Sequence, residues 1–107
     1  MRDLCFVVNK QQLLKKQSCN FNNIIAGTVN YLRCVFTFDA DWSGFKKVAE
    51  FKIENGKSYP VLIKSNQCMV PEEVTKEEKF FVIIHGKKDN QRIITNSLKI
   101  SQGEDDD

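Results

Sequence analysis

The sequence contains no long uninterrupted apolar segment. Its longest apolar runs, such as FFVII at residues 80–84, have five residues, whereas a membrane-spanning helix needs about 18 to 20. The opening residues MRDLCFVVNK also contain too short an apolar run for the core of a secretory signal peptide. We therefore expect a soluble protein that stays in the cytoplasm where it is made.

Histidine is nearly absent, and no cysteines have the spacing of a zinc motif. His85 is the single histidine, and Cys5, Cys19, Cys34 and Cys68 form no C-x-x-C pair. A zinc site would have to collect an unusual ligand set from distant parts of the chain. Since nothing directs the chain to an oxidising compartment, we expect four free thiols, most of them buried as small apolar side chains.

No residue pattern typical of an enzyme is present. The five glycines are scattered, so no glycine-rich phosphate loop occurs. His85 lies at the end of an alternating segment and shares a face with Phe81 and Ile83, which is more typical of packing than of catalysis. The acidic pairs Glu72-Glu73 and Glu77-Glu78 lie in a turn-like segment, where solvated charge is the simpler interpretation. We predict a protein that is not an enzyme and needs no metal or other cofactor.

Charge is distributed unevenly along the chain. The 107 residues carry a formal charge of +2, but four of the 14 acids lie in the final GEDDD. Hydrophobic residues at 41% and charged residues at 28% are ordinary for a folded globular protein. We therefore predict one basic domain at residues 1–102, followed by a short acidic tail at residues 103–107.

Apolar and polar residues alternate through most of the chain. The period is two in segments 31–38 and 46–53, as expected for half-buried strands, and it assigns Cys34 and Phe51 to the inner faces of these strands. Asn55-Gly56 then predicts a type I′ hairpin, and Pro60 in the following SYPVLIK indicates an edge strand or a position that makes no ladder bond. After Pro71 comes an acidic turn or single helical turn, and then two strands joined by the polar loop KKDN. About seven strands predict an all-β fold, either a single antiparallel β-sandwich of immunoglobulin-like size or a small barrel.

Residues 39–50, DADWSGFKKVAE, supply a ligand type at every side-chain position of an EF-hand calcium loop. Such a loop needs a helix on each side, whereas the residues before it alternate as a strand and Glu50 lies inside the next strand. We therefore interpret Asp39, Asp41 and Ser43 as turn residues whose side chains accept backbone hydrogen bonds.

The same stretch begins a longer pattern: F-x-F-x-x-x-W-x-G, A-x-F, a hairpin, C-x-V-P-x-E-V, a strand ending in glycine, and a last strand with a threonine. The chain gives FTFDADWSGF, VAEF, CMVPEEV, FFVIIHG and IITNSLKI in that order over residues 36–100. This pattern resembles the small β-sandwich domain of tail and baseplate proteins of bacteriophages that infect Gram-positive bacteria. The resemblance implies a fold used for protein contacts, without catalytic residues. It also implies that Trp42 fills the core beneath the turn and that Gly44 permits the reversal.

Two binding roles follow from this resemblance. In that family the sandwich opens a longer structural protein, whereas this chain stops after the acidic tail, so we expect a module that acts alone. The first role is an inhibitor of a host defence nuclease, of the anti-CRISPR type, in the cytoplasm of the bacterial host. The alternative is a structural component of the phage tail or baseplate, located in the virion. The partner is then a host CRISPR nuclease or phage tail proteins, and the sequence leaves the oligomeric state open.

Basic pairs at Lys15-Lys16, Lys46-Lys47 and Lys87-Lys88 suggest single-stranded nucleic acid as a third type of partner. Such pairs also protect sheet edges, and the acidic tail would compete with phosphate. We therefore favour a protein partner, with the tail acids meeting its arginines and lysines. The predicted protein-binding residues are Phe45, Lys46, Lys47, Lys87, Lys88, Asp89, Asn90, Glu104, Asp105, Asp106 and Asp107.

Overall fold

A computed structural model describes residues 1–103, which form nine β-strands, a single-turn α-helix and a short 3₁₀ helix (Ala40–Trp42). None of the helices in this part of the chain is long and apolar enough to cross a membrane. The short helix α1 (Glu72–Thr75) lies in the acidic connection where one helical turn was expected. The strands are β1 (Arg2–Asn9), β2 (Gln12–Lys15), β3 (Leu32–Phe38), β4 (Lys46–Lys52), β5 (Ser58–Leu62), β6 (Gln67–Met69), β7 (Lys79–Lys88), β8 (Gln91–Ile94) and β9 (Leu98–Ser101).

The strands form two separate sheets, which confirms the all-β sandwich and excludes a single closed sheet. One sheet has four strands in the order β2-β1-β3-β6. The other has five, with β5, β4 and β7 in order and both β8 and β9 paired to the far edge of β7. The inward residues of both sheets make one apolar core. Cys34 lies in this core on β3, as its alternation predicted.

One strand pair differs from a purely antiparallel sandwich. Strand β3 runs parallel to β1, in a register that extends from Arg2 opposite Leu32 to Val8 opposite Phe38. Parallel strands need a long crossover connection, and residues 16–31 supply it between β2 and β3. The guanidinium group of Arg2 holds this crossover by donating hydrogen bonds to three backbone carbonyls, those of Asn20, Asn22 and Asn23.

The predicted final strand is divided into β8 and β9, which partly explains why nine strands are found rather than seven. Thr95 lies between them, and its Oγ1 accepts a hydrogen bond from the amide of Ile84 at 2.9 Å. Its side chain therefore occupies a ladder position that a backbone carbonyl would otherwise fill. The adjacent Asn96 turns to the opposite sheet, where its Oδ1 accepts from the amide of Leu13 at 2.7 Å.

The hairpin between β4 and β5 has a different turn from the one predicted. A type I′ turn needs positive φ at both Asn55 and Gly56, but of these two only Gly56 has it, at 94°. The amide of Gly56 donates to the carbonyl of Ile53, and the amide of Ile53 donates to that of Lys57, both at 3.0 Å. These bonds describe a three-residue loop that ends in a left-handed glycine. The Asn55 side chain stabilises it, because its Oδ1 accepts from the amide of Lys57 at 2.8 Å.

Strand β5 lies at a sheet edge, as Pro60 predicted. Tyr59 and Val61 face Phe51 and Ala49 of β4. The amide of Ile63, two residues after Val61, donates to the β4 backbone. Every second residue of β5 directs its backbone nitrogen toward β4, so the nitrogen of Pro60, which lies between Tyr59 and Val61, points away from β4. A proline there removes no ladder hydrogen bond and leaves the outer edge without one amide donor.

Candidate protein-binding face

The structure brings one residue from each of the two predicted contact segments together on the outer face of the five-stranded sheet. Lys46 of β4 lies directly opposite Lys87 of β7. Lys87 in turn lies opposite Arg92 of β8. All three side chains are exposed, and neighbouring strands are about 4.8 Å apart. Lys46, Lys87 and Arg92, here called the basic row, therefore place three positive charges in a line across three strands.

A second row lies two residues further along the same strands. Leu62 of β5 faces Val48 of β4, Val48 faces His85 of β7, and His85 faces Ile94 of β8. Leu62 and Ile94 are 41% and 40% exposed, which is high for large apolar side chains. This line of three aliphatic residues and His85 is here called the apolar row. Two of its members, Val48 and His85, line an open hollow together with Lys46, Gly86, Lys87 and Arg92.

A hydrogen-bonded pair lies within this face. His85 Nε2 is 2.7 Å from Oε1 of Glu50, and both side chains are only partly exposed. This hydrogen bond is the main cause that lowers the pKa of Glu50 below its ordinary value of 4.5. The carboxylate is thus engaged inside the sheet face and stays ionised near neutral pH. The histidine ring thus has a carboxylate as its fixed partner.

Lys47 and Lys88 belong to the other side of their strands, because successive residues of a strand point to opposite faces. Lys47 Nζ lies 5.1 Å from the centre of the Phe38 ring and donates a hydrogen bond to the carbonyl of Phe45 at 3.1 Å. Lys88 Nζ lies 5.8 Å from the centre of the Phe45 ring. The half-buried Phe45 packs against the core beside Trp42. These three predicted contact residues therefore support the end of the sandwich and lie outside the basic row.

The predicted polar loop KKDN is shorter than expected. Lys87 and Lys88 belong to β7, and only Asp89 and Asn90 connect it to β8. Both connecting residues are exposed, and Asp89 has a positive φ of 52°. Asp89 and Asn90 thus lie at the tip of the hairpin beyond the basic row. Their tight turn sets the register that places Arg92 beside Lys87.

The residues that match a calcium loop have other partners. Asp39 Oδ2 accepts a hydrogen bond from the amide of Lys10 at 3.0 Å, as expected of a turn residue. Asp41 instead forms an ion pair with the Lys10 ammonium, at 3.2 Å. Glu50, at the twelfth loop position, lies on the outer face of β4 with His85. Among residues 1–103, no group of three or more His, Cys, Asp or Glu side chains is arranged to hold a metal ion.

Sequence reasoning missed Arg92, Leu62 and Ile94. The alternation in QRII places Arg92 and Ile94 on one face, and this was the available signal for them. Leu62 had no comparable signal, because its place in the apolar row depends on the register between β5 and β4. The row is therefore a product of cross-strand pairing among segments far apart in the chain.

The motif that suggested a phage domain is made mainly of core residues. Phe36 and Trp42 are buried, Phe38 packs against the core, and Gly44 has a positive φ of 80° at the chain reversal. The predicted tail contacts at residues 104–107 lie outside the described residues. Comparison of the chain with models of known protein families gave no match, and comparison with curated proteins gave none either.

Proposed function

We propose that the protein is a non-catalytic module that binds another protein through the outer face of its five-stranded sheet. The observation that carries this proposal is the alignment of the basic row beside the apolar row, whose end residues Leu62 and Ile94 are exposed. In protein interfaces, apolar groups supply the buried centre, while charged groups at the rim orient the partner and speed association. A face across four strands is a suitable platform for the roughly 800 Å² per partner that a stable complex buries.

The side chains beside the basic row favour protein over single-stranded nucleic acid. Proteins that bind single strands stack bases on exposed aromatic rings. Here the apolar neighbours are the aliphatic side chains of Val48, Leu62 and Ile94. Outside the row, the ring of Phe45 is half-buried and has Lys88 Nζ over it, and the ring of Phe81 on β7 is also half-buried. Aliphatic groups offer a partner apolar contact without a stacking platform.

The role that we propose for this module is a phage or mobile-element inhibitor of a host defence nuclease, of the anti-CRISPR type. Its support is the resemblance of residues 36–100 to a phage domain, together with the acids of residues 104–107. Such acids imitate phosphate and meet the arginines and lysines with which a nuclease holds nucleic acid. Their contribution weakens as salt rises, because exposed charges are screened.

The second candidate is a structural component of the phage tail or baseplate. It is favoured by the correspondence between motif and fold: Phe36, Phe38, Trp42 and Gly44 build the core and turn around which the two sheets pack. In this role the exposed sheet face would contact a neighbouring tail protein. The two candidates share a protein-binding surface and differ in the partner.

A capture and cleavage experiment tests the proposal. Purified protein is used to capture partners from the lysate of a CRISPR-bearing host and from dissociated tail components, and guided DNA cleavage is assayed with and without it. A chain truncated after Gln102 reports the acidic tail, and a Glu72→Gln, Glu73→Gln variant controls for removal of negative charge at an unrelated exposed place. We expect inhibition by the full chain, weaker inhibition by the truncated chain, and a smaller difference at high salt. Capture of tail components alone, with cleavage unaffected at large excess, would replace the inhibitor with the tail component.

A further inference from the structure

We infer that the partner segment which docks on this face is an amphipathic helix with an acidic stripe beside an aliphatic one. This inference rests on the proposed function and adds the chemistry of the partner. It follows from the order and spacing of the two rows. The basic row requires negative groups at regular intervals, and the apolar row requires apolar groups next to them.

The spacing of the basic row fits one side of a helix. Its three side chains lie on three adjacent strands, so they span about 10 Å across the sheet. Acidic residues at positions i, i+4 and i+7 of a helix span about 10.5 Å along its axis, because each residue rises 1.5 Å. A helix that crosses the strands therefore presents one carboxylate to each of Lys46, Lys87 and Arg92.

The apolar row extends the same match. It runs over four strands from Leu62 to Ile94, or about 14 Å, which corresponds to roughly ten residues of helix. The two rows are two residues apart along the strands, or about 7 Å. Adjacent stripes on a helix about 10 Å in diameter have a similar separation. A single helix of about three turns thus reaches both rows at once.

Two alternative occupants fit the molecule less well. A partner strand added to the edge at β5 meets Pro60, which offers no amide hydrogen. A strand added at β2 meets Asn96, whose side chain already accepts from the amide of Leu13 and donates to its carbonyl. A second copy of this chain would bring two basic rows together, and like charges repel.

The test uses a designed probe, so it does not depend on prior capture of the natural partner. The probe is a short alanine-based helical peptide with glutamates at i, i+4 and i+7 and a leucine after each glutamate. A peptide of the same composition with its acids scattered around the helix serves as the control ligand, and oligothymidylate represents nucleic acid. Binding is followed by amide chemical shifts in NMR spectra at low ionic strength.

The matched protein variants remove equal charge from different places. One carries Lys46→Gln, Lys87→Gln and Arg92→Gln. The other carries Lys16→Gln, Lys57→Gln and Lys76→Gln, at exposed positions outside the face. We expect the striped peptide to shift amides of β4, β7 and β8, and its affinity to fall roughly tenfold in the first variant and less than about twofold in the second. Melting curves of both variants verify that the fold is retained.

Several results would overturn the inference. Equal binding of the scattered peptide, shifts located elsewhere, or no binding of the striped peptide each contradicts it. If a captured protein partner binds the basic-row variant less tightly than the parent chain but the striped peptide does not bind, the helix inference is wrong and the proposed function stands. If the captured partner binds the basic-row variant as tightly as the parent chain, both are wrong. If oligothymidylate alone binds, and does so through the basic row, both are wrong.

Discussion

The indole of Trp42 occupies the space that a side chain at position 86 would need. A Cβ atom built on Gly86 would lie 2.6 Å from Cζ3 of Trp42 and 3.2 Å from the ring of Phe45. Trp42 is fully buried, and its Nε1–H donates to the carbonyl of Lys10 at 2.8 Å. The turn between the two sheets is thereby fixed both to β7 and to the hairpin that follows β1.

Replacement of Trp42 by alanine should destabilise the fold by roughly 3 to 5 kcal/mol, because it removes a buried indole and leaves a cavity beside Phe38. The matched Trp42→Phe variant retains a ring but lacks the hydrogen bond to Lys10. It should therefore lose less stability than Trp42→Ala. Urea unfolding followed by circular dichroism measures both. A change under about 1 kcal/mol for Trp42→Ala would contradict the role of this residue in the core.

Replacement of Gly86 by alanine should also be destabilising, by roughly 1 to 3 kcal/mol, since the added methyl group overlaps the indole. The test is a double-mutant cycle with Trp42→Phe, because phenylalanine lacks the second ring of the indole. The loss in the free energy of unfolding caused by Gly86→Ala should be smaller in the Trp42→Phe background. Additive costs would show that the strain arises from another contact.

All four cysteines are free in the described structure, and they should titrate as four thiols in denaturant. In the native protein, Cys34 should react much more slowly than Cys19. Cys34 is fully buried, and a hydrogen bond with Cys68 together with burial raises the pKa of its thiol well above the ordinary value. Mass spectrometry after timed alkylation identifies each site. Two or fewer thiols in denatured, unoxidised protein would reveal disulfides.

Calcium should leave the stability unchanged. Asp39 and Asp41 contact Lys10, whereas Glu50 lies on another face with His85, so these carboxylates do not surround one point. Melting temperatures are compared in millimolar calcium and in chelator, with magnesium as the control cation. A rise of several degrees in calcium that disappears when Asp39 and Asp41 are changed to Asn would refute this prediction.

The Glu50 and His85 pair should make stability depend on pH in the acid range. The pKa of Glu50 is lowered in the folded state, mainly by the hydrogen bond from His85, so its contribution is present above the ordinary value of 4.5. That contribution is lost as the pH falls through the lowered folded-state pKa. Glu50→Gln should therefore cost stability at neutral pH, and this cost should shrink as the pH falls below 4.5. The measurement is unfolding by urea across this pH range, with Glu73→Gln at an exposed position as the control. A loss of stability that does not change with pH would contradict the prediction.

The sequence by itself determined the features that depend on near neighbours in the chain. Alternation with a period of two identified β3 and β4 and assigned Cys34 and Phe51 to the buried side. Pro60 indicated an edge strand, and Pro71 preceded a single helical turn. These inferences succeeded because strand geometry alternates side chains residue by residue, and because proline acts on its own backbone amide.

Only the tertiary structure decided which of these segments lie side by side. Nothing local indicated that β3 runs parallel to β1, or that Lys46, Lys87 and Arg92 form one row beside Leu62 and Ile94. Register is set by which apolar faces the strands bury together and by the turns that join them. A shift of one residue would exchange Lys46 and Lys87 for Lys47 and Lys88 on the outer face. The candidate face is therefore a consequence of long-range pairing, which periodicity within one strand does not encode.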